Sequence, residues 1–221
     1  MKITTVLLAD DHPVVRKSLK CDLELEAGFK VVGEASNGEE AVKLVSELHP
    51  DVVIMDIAMP KLNGIEATRQ IKAASPDTIV LALTVYDDVE HVLGILESGA
   101  DGYLTKNLSV EDIIKAIQSS IAGEMVLSPQ IVSRVIRYTL KNTVKPVTVN
   151  TPFILTTREL SILKFLAKGM SNKQIASEMD ISQRTVKSHL VDIFLKLNIS
   201  SRIEAVIFGL RNGFLNIEDL S

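Results

Sequence analysis

The first 125 residues alternate short apolar runs with segments of helical periodicity, and this alternation occurs five times. One run, Val52-Val53-Ile54-Met55, is apolar throughout, as expected for a strand covered on both faces. Five strand–helix units in series predict an α/β fold: a doubly wound, five-stranded parallel sheet with helices on both faces. The predicted strands are Val6–Ala9, Phe29–Ala35, Val52–Met55, Ile79–Leu83 and Gly102–Leu104.

Polar side chains follow four of these strands at the point where each strand ends. Asp10 and Asp11 follow the first, Asp56 the third, Thr84 the fourth and Lys106 the fifth. Ligands of such sheets collect at the carboxyl ends of the strands, where three carboxylates repel one another unless a cation joins them. Mg²⁺ fits because it prefers oxygen ligands. A nucleophilic carboxylate beside a lysine and a hydroxyl predicts an aspartyl phosphate.

Each of these residues also has an ordinary interpretation when it is taken alone. Asp10 and Asp11 could cap the helix that begins at Pro13, Thr84 could be another cap, and Lys106 could be a surface lysine. Their occurrence at successive strand ends, in order, favours a shared site.

The charge of the chain is distributed unevenly. The 24 Lys and Arg and 28 Asp and Glu give a net charge of −4, but residues 1–125 carry −10 and residues 126–221 carry +6. This asymmetry predicts two domains with different partners. The regular pattern loosens between them, so the predicted division is an N-terminal domain over 1–125, a linker over 126–152 and a C-terminal domain over 153–221. A basic half is a candidate for nucleic-acid binding, although a chance split of surface charge is the alternative.

Several classes of protein are excluded by composition. Cys21 is the only cysteine, so the chain has no disulfide framework, and no Cys/His spacing suits zinc. The sequence lacks an apolar run long enough to cross a membrane, and its N-terminus is unlike a signal peptide. We therefore expect a cytoplasmic, globular protein without a membrane partner. In the linker, residues 129–140 have helical spacing, and the chain before Pro146 and Pro152 is expected to be extended.

The C-terminal domain is predicted to contain four helices. Two short helices around Asp180-Ile181-Ser182 have the spacing of a helix-turn-helix, and the second, Gln183–Leu197, would be the DNA-reading helix. The same periodicity is found in helical interaction modules, which is the alternative. Three capping boxes mark helix starts: Thr156 with Glu159, Ser171 with Gln174, and Ser201 with Glu204.

The reading helix has one polar face that could enter the major groove. Lys187 could donate to guanine, and Val191 could contact a thymine methyl group. The predicted base-reading residues are Arg184, Lys187, Ser188 and Val191, and the predicted phosphate contacts are Lys173, Ser182, Thr185, Lys196 and Arg202.

Residues 3–123 resemble the receiver domain of bacterial two-component response regulators, which has a flavodoxin-like fold. The matching motifs are Asp10-Asp11, Met55-Asp56-Ile57-Ala58-Met59-Pro60 with Asn63-Gly64, Leu83-Thr84, and Gly99-Ala100-Asp101-Gly102-Tyr103-Leu104-Thr105-Lys106. The resemblance implies that Asp56 accepts the phosphoryl group and that Lys106 pairs with it. It also implies that Thr84 swings toward the phosphate and that Tyr103 follows by burying its ring.

The same resemblance implies a metal site and places Tyr86 near the phosphate. Asp11, Asp56 and the backbone carbonyl of Ala58 would bind Mg²⁺, and Asp10 would orient the water shell of the ion. Tyr86, two residues after Thr84, either shields the phosphoryl group or is an ordinary loop aromatic.

Residues 153–217 resemble the LuxR-type DNA-binding domain. The matching motifs are Leu155-Thr156-x-Arg158-Glu159, Gly169-x-Ser171-Asn172-Lys173-Gln174-Ile175-Ala176, Thr185-Val186-Lys187-Ser188-His189, Lys196-Leu197 and Ser201-Arg202-x-Glu204-Ala205. Together the two domains resemble a response regulator of the NarL/FixJ type. Some members carry a second lysine where this chain has Val191, which leaves the recognised DNA sequence open. In this family the last helix forms the dimer contact.

The leading hypothesis is a transcription factor that is switched by phosphorylation of Asp56. Its partners would be a sensor histidine kinase, double-stranded DNA and a second copy in a homodimer, with RNA polymerase as a further candidate. Enzymatic activity would be limited to Mg²⁺-dependent self-phosphorylation and autodephosphorylation. One alternative is a DNA-binding regulator that ignores phosphorylation and uses the receiver for dimerisation. Another is a haloacid-dehalogenase-type phosphatase, which would need a carboxylate where this chain has Ala58.

Overall fold

A computed structural model describes residues 3–85, 89–124, 126–127, 131 and 155–220 of the protein. The N-terminal part is a five-stranded parallel sheet of order β2-β1-β3-β4-β5, which confirms the predicted α/β fold. Its elements are β1 (Thr4–Ala9), α1 (Pro13–Leu25), β2 (Phe29–Ala35), α2 (Gly38–Leu48), β3 (Val52–Met55), α3 (Gly64–Ala74), β4 (Ile79–Thr84), α4 (Val89–Glu97), β5 (Gly102–Thr105) and α5 (Val110–Ile121).

Successive residues of each strand pack on opposite faces of the sheet, because side chains of a strand alternate. Val6 and Leu8 of β1 face one apolar cluster, which α1 and α5 cover, while Leu7 and Ala9 face another, covered by α2 and α3. Both faces of the central strands are therefore buried. This explains why β3 is apolar at every position.

The strand register brings the polar strand ends together. Ala9 of β1 pairs with Met55 of β3, so Asp10 and Asp56 leave the sheet side by side. Thr84 at the end of β4 pairs with Thr105 of β5, which places Lys106 next in line. The carboxyl edge of the sheet is thus where the predicted site residues meet.

Residues 155–220, the described stretch of the C-terminal part, form four α-helices and one short 3₁₀-helix. The helices are α6 (Thr157–Ala167), α7 (Asn172–Glu178), α8 (Gln183–Leu197) and α9 (Arg202–Arg211), and the 3₁₀-helix is Ile217–Leu220. The predicted apolar stripe of α8 is buried at Val186, Leu190, Ile193 and Leu197. Helices α7 and α8 meet at the predicted turn, where Asp180 has a positive φ of 53°.

Two of the predicted capping boxes are reciprocal, and the third differs in one bond. The Thr156–Glu159 and Ser171–Gln174 pairs each exchange both expected hydrogen bonds. In the third, the Ser201 hydroxyl accepts from the Glu204 backbone N–H, whereas the Glu204 carboxylate accepts from Ser200 at 2.7 Å.

Most of the predicted linker lies outside the described residues, including nearly all of the helix expected over 129–140. Of the linker, Val126, Leu127 and Ile131 are described, and Val126 forms a parallel bridge with Gly102. Among the residues that the structure describes, none of the helices is both long and apolar enough to span a membrane.

Glu159 joins the start of α6 to the end of α8, so its removal is expected to destabilise the C-terminal domain. It accepts from Thr156 and from Lys196, whose Nζ lies 2.7 Å from both carboxylate oxygens. Burial would raise the pKa of Glu159, but these bonds outweigh it and hold the pKa below its ordinary value. Glu159→Ala should lower the free energy of unfolding by about 1–2 kcal/mol in a urea titration followed by circular dichroism.

Exposed Glu178 at the end of α7 provides the matched control, and Glu178→Ala should change stability by less than about 0.5 kcal/mol. A group with a depressed pKa stabilises the fold above its unfolded pKa and loses that effect in acid. The difference between wild type and Glu159→Ala should therefore be full above pH 4.5 and shrink below it. Equal effects of the two substitutions would contradict the assignment.

Candidate functional site

The carboxyl edge of the sheet holds a compact acidic cluster. Ligand atoms of Asp10, Asp11, His12 and Asp56 all lie within 4.8 Å of one another. Asp10 and Asp56 are both 4% exposed. The Lys106 ammonium lies 2.6 Å from Asp10 Oδ2 and 2.7 Å from Asp56 Oδ2, and so bridges the ends of β1 and β3.

Burial and ion pairing have opposite effects on the pKa values of Asp56 and Lys106. Burial raises the pKa of Asp56, the nearby Asp10 carboxylate adds to that rise, and Lys106 opposes it without cancelling it. Burial would lower the pKa of Lys106, but its bonds to both aspartates outweigh burial and the pKa is raised. Lys106 is therefore a firmly charged partner for an anion placed beside Asp56.

The donor set fits a divalent cation. Three carboxylates and one ammonium leave two uncompensated negative charges at one buried position. These ligands are hard oxygens, which Mg²⁺ prefers over the His12 ring nitrogen. Ala58, whose carbonyl was predicted as a further ligand, is exposed two residues beyond Asp56, where water can complete the coordination shell.

The loop after Asp56 is fixed by the predicted Asn63-Gly64 pair. The Asn63 side chain accepts from the Glu66 backbone N–H at 2.8 Å and so caps α3. Gly64 passes so close to the strand end that an added Cβ would lie 2.0 Å from the Asp56 carbonyl oxygen. Only glycine allows this approach, which explains the residue pattern beside the acceptor.

Thr84 and Tyr103 lie where the sheet meets the C-terminal domain. Thr84 is fully buried at the end of β4, and the Tyr103 ring is 2% exposed. The ring packs in a cluster that includes Ile95 and Leu96 of α4 and Ile203 and Ile207 of α9. The resemblance implied that the ring becomes buried after phosphorylation, whereas here α9 already helps to bury it.

Two residues near the acceptor were not predicted from the sequence, and one predicted neighbour lies outside the described residues. His12 Nδ1 lies 2.7 Å from Asp11 Oδ1, and Arg16 donates to the Asp10 carbonyl oxygen at 2.5 Å. Their position in the first turn after the acidic pair was the available signal. Tyr86 is not among the described residues.

The reading face of α8 is exposed over much of its length. Arg184, Lys187 and Ser188 are exposed, and Val191 is 54% exposed. Ser182 caps the helix by accepting from the Thr185 backbone N–H at 3.0 Å. The predicted base contacts therefore share one accessible surface.

The predicted phosphate contacts are less uniform. Lys173 is exposed, whereas the Lys196 ammonium is paired with Glu159. Arg202 is buried at 8% exposure and donates to Asn172 Oδ1 at 2.8 Å and to the Met170 carbonyl at 3.3 Å. Burial lowers the pKa of Arg202 to about 10, against the opposing influence of Asp101 and Glu124. In this arrangement Arg202 faces the receiver rather than open solvent.

The two domains touch through α9 and the α4–β5 side of the receiver. Arg211 Nη2 lies 2.5 Å from Glu97 Oε1 across this contact. Gly99, at φ +100°, is so near the turn before α9 that an added Cβ would lie 2.9 Å from Ser200 Cβ. We call this contact the α9–α4 dock.

Beside the dock, the C-terminal half of α8 faces the receiver across a cleft of about 800 Å³. Val191 and Leu195 of α8 line it together with Arg69 and Asp77 of the receiver. Part of the exposed side of α8 therefore lines a cleft between the two domains.

Comparison with known proteins removes two of the open interpretations. The family model for the response regulator receiver domain matches residues 6–118, and that for bacterial regulatory proteins of the luxR family matches residues 154–208. The chain belongs to the NarL/FixJ-type response regulators. These are DNA-binding proteins that control transcription, so the phosphatase and general interaction-module interpretations are set aside.

Relatives of known name match this response regulator over nearly their full lengths. The transcriptional regulatory protein YdfI of Bacillus subtilis (strain 168) is 39% identical over 97% of this chain and 99% of its own. The nitrate/nitrite response regulator protein NarL of Escherichia coli (strain K12) is 38% identical over 92% of this chain and 94% of its own.

Solved structures agree with the two-domain architecture. The response regulator ChrA of a heme-sensing two-component system is 33% identical, covers 97% of this chain and 100% of its own, and has a TM-score of 0.52. A LuxR-family response regulator from Aurantimonas sp. SI85-9A1 is 34% identical over 63% of this chain and 99% of its own, with a TM-score of 0.58.

Lys187 is the exposed cation at the middle of the α8 reading face, so it is expected to carry preference for particular bases. Lys187→Ala should reduce the ratio of specific to random DNA affinity about tenfold, since a good base contact contributes about 1–3 kcal/mol. The ratio is measured by fluorescence anisotropy with a duplex selected from a random library and a scrambled duplex. Lys173→Ala, which removes an exposed cation outside α8, should weaken both affinities and leave the ratio within about twofold. An unchanged ratio in Lys187→Ala would refute the assignment.

Proposed function

We propose that Asp56 is the phosphoacceptor of this response regulator and that a sensor histidine kinase is the donor. The observation that carries the proposal is the convergence of three carboxylates and Lys106 at one buried edge of the sheet. In the transfer, an Asp56 carboxylate oxygen forms a bond to phosphorus, and the bond between phosphorus and the donor nitrogen breaks. With a small acyl phosphate, the breaking bond joins phosphorus to the acyl oxygen.

Different residues around Asp56 would bind the metal ion and the phosphate. Asp11, Asp56 and the Ala58 carbonyl would hold Mg²⁺, Asp10 would orient its waters, and the bound ion would neutralise charge on the transferring phosphoryl oxygens. Lys106, now 2.7 Å from Asp56, would pair with the new phosphate. Thr84 would contribute its hydroxyl as a donor from the end of β4.

The α9–α4 dock supplies the route from the phosphate to DNA. Tyr103 packs beneath Ile203 and Ile207 of α9, so a shift of Thr84 and Tyr103 changes the surface on which α9 rests. Release of α9 would uncover its proposed homodimer surface and open the cleft beside Val191 and Leu195. The dimer would place two α8 helices about 34 Å apart on inverted half-sites.

Release would also change the surroundings of one proposed phosphate contact, Arg202. Arg202 would lose its acidic receiver neighbours Asp101 and Glu124 and become more accessible to DNA, where it would join Lys173, Ser182, Thr185 and Lys196. The DNA-binding domain would work in the cytoplasm, with RNA polymerase as a candidate partner at promoters. One similar fold, RcsB at 23% identity, has been solved as two dimers bound to two parallel DNAs.

Phosphorylation should raise DNA affinity, and the rise should require both Asp56 and Mg²⁺. Acetyl phosphate with Mg²⁺ should tighten wild-type binding to the selected duplex by about tenfold or more, within the usual 5–150-fold range of coupled sites. Asp56→Ala, or EDTA added with acetyl phosphate, should abolish the gain in an anisotropy titration. Equal affinity of wild type and Asp56→Ala, with or without acetyl phosphate, would favour the alternative in which the receiver is only a dimerisation module.

The dock is expected to restrain DNA binding before phosphorylation. Glu97→Arg places a second cation opposite Arg211, and should raise the unphosphorylated DNA affinity about threefold because partly exposed pairs contribute up to about 1 kcal/mol. Glu97→Arg combined with Arg211→Glu restores opposite charges and should return the affinity toward wild type.

Glu47→Arg breaks the exposed Lys43–Glu47 pair on α2, far from the dock in the fold, and serves as the control for added positive charge. If Glu47→Arg raises affinity as much as Glu97→Arg does, bulk charge rather than the dock explains the effect.

A further inference from the structure

Arg16 links the first helix of the receiver to the end of the central strand. It lies in the first turn of α1, and its Nη1 donates to the carbonyl oxygen of Asp10 at 2.5 Å. Its Nε lies 3.8 Å from Glu34 Oε2 at the end of β2, and the side chain is 16% exposed. The guanidinium thus joins β1 and β2 beside the acidic cluster.

The backbone hydrogen bonds between the strands end at Asp10. The Asp56 N–H donates to Ala9, and the Asp10 N–H donates to Ala35, so both neighbouring strands bond the chain up to Asp10. The next peptide group joins Asp10 to Asp11, and Arg16 is the donor to its oxygen. A charged donor makes this bond stronger than a neutral one would be.

The orientation of that peptide group decides where two carboxylates point. Asp10 points to Lys106 at 2.6 Å, and Asp11 points to the cluster through His12 at 2.7 Å. Rotation of the peptide would turn the Asp11 carboxylate away from Asp56. Because the three carboxylates repel one another, such a rotation would be favoured unless the peptide group is held in place.

We propose that Arg16 is a positioning residue for the metal end of the phosphoacceptor site. By fixing the Asp10–Asp11 peptide, it prepares Asp11 to bind Mg²⁺ without itself contacting the phosphoryl group. The inference rests on the proposed phosphorylation of Asp56 and adds a residue to that mechanism.

Lys20 provides a matched control on the same helix. Its ammonium lies 2.9 Å from Glu34 Oε1, so it binds the same carboxylate from one turn further along α1. Lys20→Met removes a cation and a Glu34 partner but leaves the bond to the Asp10 carbonyl. Arg16→Met removes a cation, a Glu34 partner and the bond to the Asp10 carbonyl. Arg16→Lys keeps the charge and a hydrogen-bond donor.

The experiment measures Mg²⁺ binding and phosphorylation separately in the full chain. Mg²⁺ binding is measured from the rise in melting temperature as Mg²⁺ is added, and the midpoint is the Mg²⁺ concentration that gives half of the full rise. The rate of phosphorylation by acetyl phosphate is measured over the same series of Mg²⁺ concentrations. Arg16→Met should raise the Mg²⁺ midpoint about tenfold, as expected for loss of one charged hydrogen bond. At saturating Mg²⁺ its rate should return to within about twofold of wild type. Lys20→Met should phosphorylate within about twofold of the wild-type rate at all Mg²⁺ concentrations. Arg16→Lys should have an Mg²⁺ midpoint between those of Arg16→Met and wild type.

Other outcomes would overturn the inference in distinguishable ways. Equal midpoints for Arg16→Met and wild type, or equal shifts for Arg16→Met and Lys20→Met, would show that the Asp10 bond does not position the site. A rate loss that persists at saturating Mg²⁺ would indicate general damage to the fold. If Arg16→Met does not fold, Arg16→Lys takes the same tests: a midpoint raised by less than tenfold but more than twofold is expected, and a wild-type midpoint would overturn the inference. A wild-type chain whose rate ignores Mg²⁺ would refute the proposed function itself.

Discussion

The repulsion among three carboxylates at one sheet edge is the constraint on which the rest of the receiver depends. Asp10 and Asp56 are forced together by the register of β1 and β3, and Asp11 follows directly. Lys106 compensates only one of the three charges, so the residues at this edge suit a cation. A doubly negative phosphate would shift this balance again, which makes the edge a sensor of charge.

The consequences of that shift are carried by packing rather than by charge. Thr84 and Tyr103 are neutral and buried, and the Tyr103 ring contacts a cluster shared by both domains. Packing of α9 on α4 and the homodimer contact proposed for α9 would exclude each other if they used the same side of the helix, which carries Ile203 and Ile207. Two exclusive uses of one surface create two states, and a ligand that favours one state shifts their populations. The cleft beside the C-terminal half of α8 would open with the same movement.

Much of this architecture could be predicted from the sequence because local signals and the fold agree. The apolar β3 run, the caps at Thr156 and Ser171 and the stripe along α8 are short-range patterns with direct physical causes, and their boundaries differ from the observed elements by few residues. The site residues at the strand ends were also predictable, since parallel strands bring their carboxyl ends to one edge.

What could not be predicted depends on contacts distant in sequence. Arg202 resembled an exposed phosphate contact, but it is buried and donates to Asn172, which lies 30 residues away in the chain. Lys196 was likewise expected at DNA, and its partner Glu159 lies 37 residues away in the chain. The bond from Arg16 to the Asp10 carbonyl involves a backbone atom, for which no residue pattern exists.

The central claim is that phosphorylation of Asp56 separates α9 from the receiver, and the distance between the domains tests it most directly. Cys21 is exposed on α1, and Glu178→Cys would add a second labelling site on α7, away from both the dock and the α8 reading face. Fluorescence resonance energy transfer between the two labels should fall when acetyl phosphate and Mg²⁺ are added, and should not change in Asp56→Ala. An unchanged transfer efficiency in a chain that is fully phosphorylated on Asp56 would contradict the account.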